Sequence, residues 1–452
     1  MKRALLDYLR DWLGSKERKP LVVRGARQVG KTWLVRHFAE AAGKQLIELN
    51  FEKQPALASL FDGNDPKQIL LNLSAVLGQD IDPGQSLLFL DEIQAVPQLF
   101  SKLRWFYEDL SALPVVAAGS LLEFVLAEHS FSMPVGRISY LHLEPLSFEE
   151  FLLAQNKASL YDYLQSYDLK VAMPLAIHEQ LLALFKEYIF VGGLPAAVNS
   201  WVLDRSLQKV SQIQQDLLAT YRDDFMKYRG RVPVERLDEV MIAVPKMLGQ
   251  KFVFSRVNST LQAAGVRQIL DLLEKARTCH RVWSSSSNGV PLAAEIKEKY
   301  FKAIFLDTGL CSTALGLGFG QINDCSELTL INNGAIAEQV VGQMLRTIEP
   351  PYKEPALYCW HRDEVGSSAE IDYVLQHGSR VIPIEVKAGA TGSLKSLHLF
   401  MGLKQLPLAL RINSGLPSTV NVDVKNNTGA SVQYQLISIP FYLTGQLHRL
   451  LG

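Results

Sequence analysis

Between Leu21 and about Leu143, short apolar runs alternate with stretches of helical spacing. The runs are LVV at 21–23, QLIELN at 45–50, SLLFLDE at 86–92 and PVVAAGS at 114–120. Nearly continuous apolar strands separated by helices predict a parallel sheet covered on both faces. Ahead of them, MKRALLDYLRDWLGSKERK spaces its apolar residues helically among charges, which predicts an amphipathic helix rather than a signal peptide. From Ser147 to about Met247 the apolar spacing becomes three and four, with breakers at Gly192, Gly193 and Pro195, so an all-α connector or lid is expected.

The pattern changes twice more. Lys251 to Ala293 offers a short helix, a second helix over Val266–Ala276, the β run CHRVW and the polar turn SSSSNG, an order that suggests a small winged helix. A further α/β pattern starts near Phe301, with a helix over Gly334–Arg346 and strands around Asp372 and Glu385. The expected organisation is therefore multidomain α/β: a P-loop-type parallel sheet over 1–145, a helical lid over 146–248, a winged helix over 249–295 and a second α/β domain over 296–452. No internal repeat or long low-complexity tract interrupts it.

Composition narrows the function classes. Apolar residues make up 48% and charged residues 20% of the 452, which excludes global disorder. Lys plus Arg (46) equals Asp plus Glu (46), so no whole-chain positive field gathers nucleic acid, and any DNA contact must be local. The scattered Cys279, Cys311, Cys325 and Cys359 have no metal-ligand spacing and read as free thiols of a reducing cytoplasm. The most apolar stretch, Leu113–Ala127, contains Glu123 and falls short of the roughly 20 residues that span a bilayer.

Residues Gly25, Ala26, Arg27, Gln28, Val29, Gly30, Lys31 and Thr32 fit G-x-x-x-x-G-K-[ST] between an apolar strand and a helical run. In that pattern the glycines let successive N–H groups and a helix N-terminus face a phosphate. The lysine supplies charge to the outer phosphates, and the Thr32 hydroxyl is placed for Mg²⁺. The apolar run Leu87–Leu90 ends in Asp91 and Glu92, where Asp91 is expected to orient the metal shell and Glu92 to polarise the attacking water of ATP hydrolysis. A solvated strand end is the bland alternative for an acidic pair considered without the loop. Ser120, after the next strand, is placed for a γ-phosphate or water contact, and an ordinary helix cap explains it about as well. Arg137, in MPVGRIS, fits either an arginine finger in cis or from a neighbouring subunit, or a structural ion pair.

With GARQVGKT, LLFLDEIQ, AAGSLLE, VGR followed by EPLSFEEFL, then VGGLPAAV and IEVKAG, the chain resembles a prokaryotic family of AAA-type ATP-binding proteins from about residue 18 to about residue 410. The resemblance implies an ATPase module joined to a winged helix and a C-terminal domain like the PD-(D/E)XK nuclease fold. It also implies Gly25, Lys31, Thr32, Asp91, Glu92 and Arg137 as the nucleotide site, and it names no substrate. Homo-oligomers are frequent among AAA-type proteins.

In AEIDYVLQHGSRVIPIEVKAG, Glu385 and Lys387 are two apart on one predicted strand and share a face, and a hairpin through His377 and Gly378 brings Asp372 beside them. Glu338, on the preceding helix, is a fourth member. Carboxylates with a lysine suit Mg²⁺-dependent phosphodiester hydrolysis, but an inactive nuclease-like module or a salt-bridged surface hairpin fits the same residues. Pro383 counts mildly against a central strand. Arg256, Arg267, Lys275 and Arg277 lie on or beside the two predicted helices and Arg281 on the following β run; they suit DNA phosphates, against which stand Asp271 and Glu274, and packing against other domains fits such a module nearly as well. Two functions follow: a Mg²⁺-ATPase whose nucleotide state moves the helical and C-terminal domains, with a gated nuclease and action on DNA among the outcomes this allows, or a nucleotide-dependent binding switch with slow turnover whose inactive C-terminal domain only binds DNA or a partner. A small-molecule kinase would leave the C-terminal half unused.

Overall fold

The computed structural model describes residues 2–120, 122, 134–226, 234–258, 262–317, 334–364, 367–389, 392–425 and 431–452. The chain forms two compact units, the first comprising 1–144, 275–277 and 349–354, the second 145–274, 278–348 and 355–452.

The first unit opens with α1 (Leu5–Gly14), which buries Leu6, Leu9 and Trp12. It continues through β1 (Leu21–Arg24), α2 (Lys31–Ala41), β2 (Gln45–Asn50), α3 (Pro66–Leu77), β3 (Ser86–Asp91), α4 (Leu99–Asp109), β4 (Val115–Ala118) and β5 (Ser139–His142). The strands form one parallel sheet in the order β2-β3-β4-β1-β5. Every residue of β3 and β4 is buried, which is why these strands read as continuous apolar runs rather than alternating ones. Leu49, Leu88, Leu90, Phe100, Leu103 and Phe106 join one core beneath the helices. Asp65 caps α3 by accepting from the Lys67 amide, and Pro66 sits at its first position, where no N–H is needed.

The second unit begins with helices α5 (Phe148–Ala154), α6 (Ala158–Ser166), α7 (Leu175–Val191), α8 (Pro195–Asp204), α9 (Leu207–Met226) and α10 (Val234–Lys246). Ser147 and Glu150 form a reciprocal capping box at α5, which explains the LSFEEF run. There follow α11 (Ala263–Lys275), β6 (Cys279–Ser285), β7 (Ile296–Phe305), α12 (Thr308–Ala314), α13 (Ala335–Thr347), β8 (Leu357–Glu364), β9 (Ser367–His377), β10 (Arg380–Val386), α14 (Lys395–Lys404), β11 (Leu408–Asn413), β12 (Ser418–Lys425), β13 (Ser431–Pro440) and α15 (Leu447–Leu450). The strands form a mixed eight-stranded sheet, β12-β13-β11-β10-β9-β8-β6-β7. The β run expected in a winged helix is β6. It pairs antiparallel with β7 and parallel with β8, so it shares a sheet with the strands of Asp372 and Glu385.

Pro383 lies inside β10, between β9 and β11. Pairing with β11 begins only at Ile384, so the missing N–H falls where that neighbour makes no pair. Cys279, Cys311 and Cys359 are buried free thiols, and Cys325 lies outside the described residues. Among the described residues no helix is long and apolar enough to cross a membrane.

The VGGLP turn between α7 and α8 has a specific cause. Asp307, at the N-cap of α12, accepts from the amides of Gly193 (2.6 Å), Gly309 (3.0 Å) and Leu310 (3.1 Å), and from Gln343 Nε2 (3.3 Å). A Cβ on Gly192, whose φ is +75°, would lie 2.0 Å from Asp307 Oδ1, and one on Gly193 would lie 2.3 Å from the Leu146 carbonyl oxygen. Only glycine admits this approach.

Asp307→Ala strips three buried amides of their acceptor, each worth about 1–3 kcal/mol, so a loss of at least about 3 kcal/mol in chemical denaturation is expected. Burial pushes the Asp307 carboxyl up to about 6 from the usual 3.8. The folded value is the higher one, so this group's contribution is complete below the unfolded value and declines as pH rises through the folded one. The gap between wild type and Asp307→Ala should therefore be wider near pH 4 than at pH 7.

Candidate functional site

Four strands of the first unit bring polar residues to the carboxyl edge of the parallel sheet, the edge where α/β sheets bind ligands. The loop Gly25–Gly30 follows β1, Asp91 and Glu92 end β3, Ser120 follows β4, and Asn50 ends β2 opposite Asp91.

The loop conformation comes from close packing below it. A Cβ on Gly25 would lie 2.5 Å from the Leu143 carbonyl oxygen, and the Leu143 amide itself donates to Arg24 O at 2.7 Å. Gln28 and Gly30 have φ of +63° and +97°, which turns the chain into the start of α2. Ala26 and Val29 are buried, whereas Gln28 is exposed and Arg27 half-buried. The Lys31 ammonium folds back over the loop and donates to Gly25 O (3.0 Å) and Ala26 O (2.8 Å), leaving the residue 8% exposed.

The acidic side is organised as closely. Thr32 Oγ1 donates to Asp91 Oδ1 at 3.3 Å, and Asn50 Nδ2 donates to Asp91 Oδ2 at 3.0 Å. Burial, reinforced by the charge of Glu92, pushes the Asp91 carboxyl up to about 6. Glu92 is left-handed at φ +52°, a strained setting for a residue with a side chain. Its Oε2 accepts from Gln94 Nε2 (2.5 Å) and from the amide and hydroxyl of Ser120 (3.4 Å each). The Gln94 amide lies against Gly119, where a Cβ would come within 2.0 Å of Oε1. The DEIQ and AAGS motifs thus meet at one carboxylate, and Ser120 is a partner of Glu92.

Arg137 is placed differently. Its Nε donates to Glu108 Oε1 on α4 at 2.6 Å, and its guanidinium lies over the Tyr107 ring. Sequence reasoning missed Asn50, Gln94 and Glu108. Asn50 alone carried a signal, as the polar end of the strand QLIELN beside the strand of Asp91.

In the second unit, the hairpin through His377 and Gly378 forms as expected, with Arg380 opposite His377. Asp372 Oδ2 accepts from the Val386 amide at 2.8 Å, and Lys387 Nζ donates to Glu385 Oε1 at 2.6 Å. Burial raises the carboxyls of Glu338 and Glu385, to about 7 and about 8. An unforeseen residue joins them: Lys302 of β7 reaches Glu338 at 2.9 Å, Asp372 at 3.5 Å and Glu370. Its only sequence signal is a lone lysine in the apolar half of a strand. Among the described residues no group of three or more His, Cys, Asp or Glu is arranged to hold a metal ion.

The basic residues near α11 are mostly engaged. Arg281 is buried on Glu274 and Asp271, and Arg277 on Glu354 and His142. Arg267 lies 3.7 Å from Glu298, and Arg256 donates to Gln250.

A five-stranded parallel sheet with a phosphate-type loop after β1 and an acidic pair after β3 defines a P-loop nucleoside-triphosphatase fold. Residues 17–152 match the model of the family described as AAA domain, so this region is similar to AAA-type P-loop domains. Residues 182–320 and 333–436 match two domains of unknown function, DUF8612 and DUF4143. Among solved structures, the chain is similar to the Walker-type ATPase of Pyrococcus abyssi (14% identity, 69% of this chain and 94% of that one, TM-score 0.42). It is also similar to the Aeropyrum pernix ORC1 protein in complex with DNA (14%, 69% and 90%, TM-score 0.23). A third is the Aeropyrum pernix ORC2 protein in ADPNP–ADP complexes (13%, 74% and 91%, TM-score 0.25). No curated protein matches the chain.

Proposed function

We propose that the first unit binds ATP with Mg²⁺ on the Gly25–Thr32 loop and hydrolyses it. The observation that carries this reading is the convergence of the loop, Lys31, Thr32, Asp91 and Glu92 at one sheet edge, with Glu92 anchored by Gln94 and Ser120. Thr32 and Asp91 offer hard oxygen donors, and a buried carboxyl displaced to about 6 is one whose charged form a divalent cation favours. When bound, Mg²⁺ would offset charge on the phosphates and on Asp91.

Loop amides and the α2 N-terminus hold the phosphates, and Lys31 exchanges its carbonyl contacts for phosphate oxygens. Glu92 polarises the attacking water. Arg137 acts on phosphate only after leaving Glu108, an exposed, solvent-screened pair that an anion can displace.

Gln94→Ala removes the closest partner of Glu92 without touching the loop. Turnover should fall by up to about 100-fold, the order for a catalytic group misplaced by about 1 Å, while ATP affinity stays. A steady-state assay beside equilibrium nucleotide binding checks it.

For the second unit, the Lys302 contacts favour a nucleotide-governed binding module over a metal-dependent nuclease. In this unit Arg256 and Arg267, whose contacts with Gln250 and Glu298 are exposed, are the basic residues placed to meet DNA. The deciding experiment is an ATPase assay with and without DNA, in Mg²⁺ and in chelator, with the DNA inspected for cuts. Mg²⁺-dependent turnover with uncut DNA is expected. ATP binding without turnover would reject hydrolysis, and Mg²⁺-dependent cuts would reject the non-cleaving module.

A further inference from the structure

Lys302 is an unusual residue to find inside a sheet. Its side chain is only 3% exposed, yet it carries three carboxylates, Glu338 from α13 and Glu370 and Asp372 from β9. Glu370 and Asp372 are two apart on one strand and share a face. Each carboxylate has a further fixed neighbour. The Tyr300 hydroxyl donates to Glu370 Oε2 at 2.8 Å, and the Val386 amide donates to Asp372 Oδ2 at 2.8 Å. Glu338 Oε1 lies where a Cβ on Gly249 would meet it at 2.9 Å. Beside this group, Glu385 is 6% exposed, and its Oε2 is buried without a hydrogen-bond partner while Oε1 holds Lys387.

An isolated buried ammonium is expensive, and so is each isolated buried carboxylate, so the cluster persists only as a unit. The geometry points to Lys302 as the resident cation of this cluster: its ammonium takes the space between Glu338, Glu370 and Asp372, which as arranged around it hold no metal ion. The ammonium donates hydrogen bonds but has no empty orbital, so it can neither polarise a phosphodiester as a Lewis acid nor generate a bound hydroxide. The cluster thereby holds its carboxylates in a charge-balanced form that performs no metal-dependent step. This inference concerns the second unit alone, and its failure would leave the ATP site untouched.

The test is a Mn²⁺ titration of the nucleotide-free full-length protein, with free ion read by electron paramagnetic resonance. Wild type, Asp372→Asn, Lys302→Met and the Lys302→Met/Asp372→Asn pair are compared, with folding followed by circular dichroism. Wild type and Asp372→Asn should bind Mn²⁺ identically. Lys302→Met should gain one site that is absent from wild type and disappears in the double variant. An Asp372-dependent site in wild type overturns the proposal, as does a folded Lys302→Met that gains none. Should Lys302→Met fail to fold, the wild-type and Asp372→Asn comparison decides alone: identical binding supports the proposal, and a lost site overturns it.

Discussion

Lys31→Ala is expected to weaken ATP binding about 100-fold or more, the range for truncating one member of a desolvated charge pair. The lysine makes two contacts that ligand binding must replace, to Gly25 O at 3.0 Å and Ala26 O at 2.8 Å. These hold the ammonium over the loop before any phosphate arrives, so little side-chain entropy remains to be lost on binding. The variant loses that preorganised charge and keeps the backbone amides, so weak phosphate binding should survive. Fluorescent-nucleotide titration of wild type and variant, with folding checked by circular dichroism, measures the ratio. Equal affinities would remove the loop from the nucleotide site.

The reason this site was legible is that its requirements are local. The spacing from Gly25 to Thr32 is set by one turn entering one helix, and Asp91 and Glu92 end a strand whose apolar run announces its burial. The parallel sheet was legible for the same reason, since β3 and β4 are covered on both faces and show it in every residue. The capping box of Ser147 and Glu150 is equally local, lying within four positions at the point where the helical spacing begins.

What escaped the sequence depends on residues brought together from far apart. Arg137 finds Glu108 29 positions away, and no periodicity chooses between that partner and a phosphate. Lys302 reaches Glu338 and Asp372 across 36 and 70 positions. Nothing in the Asp372–Glu385 hairpin itself points to that lysine. The winged-helix reading met a related obstacle. A helix followed by a β run and a polar turn describes α11, β6 and the connection to β7, but local pattern does not say that β6 also pairs with β8. Arg277 and Arg281 looked like a DNA-facing pair because their acidic partners, Glu354 for one and Asp271 with Glu274 for the other, are assigned only by tertiary packing.

Glu92→Gln should leave ATP binding near the wild-type level and slow hydrolysis by about 100-fold to 10,000-fold, the usual contribution of a positioned general base. The amide is nearly isosteric, so the left-handed backbone at Glu92 and the helix-side loop are undisturbed. Its carbonyl oxygen can still accept from Gln94 and Ser120, which preserves position while removing the negative charge that polarises water. Removing that charge also takes away the repulsion that helps push the neighbouring Asp91 carboxyl up. Nucleotide and Mg²⁺ affinity should therefore hold, and single-turnover chemistry should carry the whole defect. Rapid-quench measurement with saturating ATP separates these steps. A variant that binds ATP and turns it over at the wild-type rate would place the base elsewhere and leave Glu92 as a structural anchor for Gln94 and Ser120.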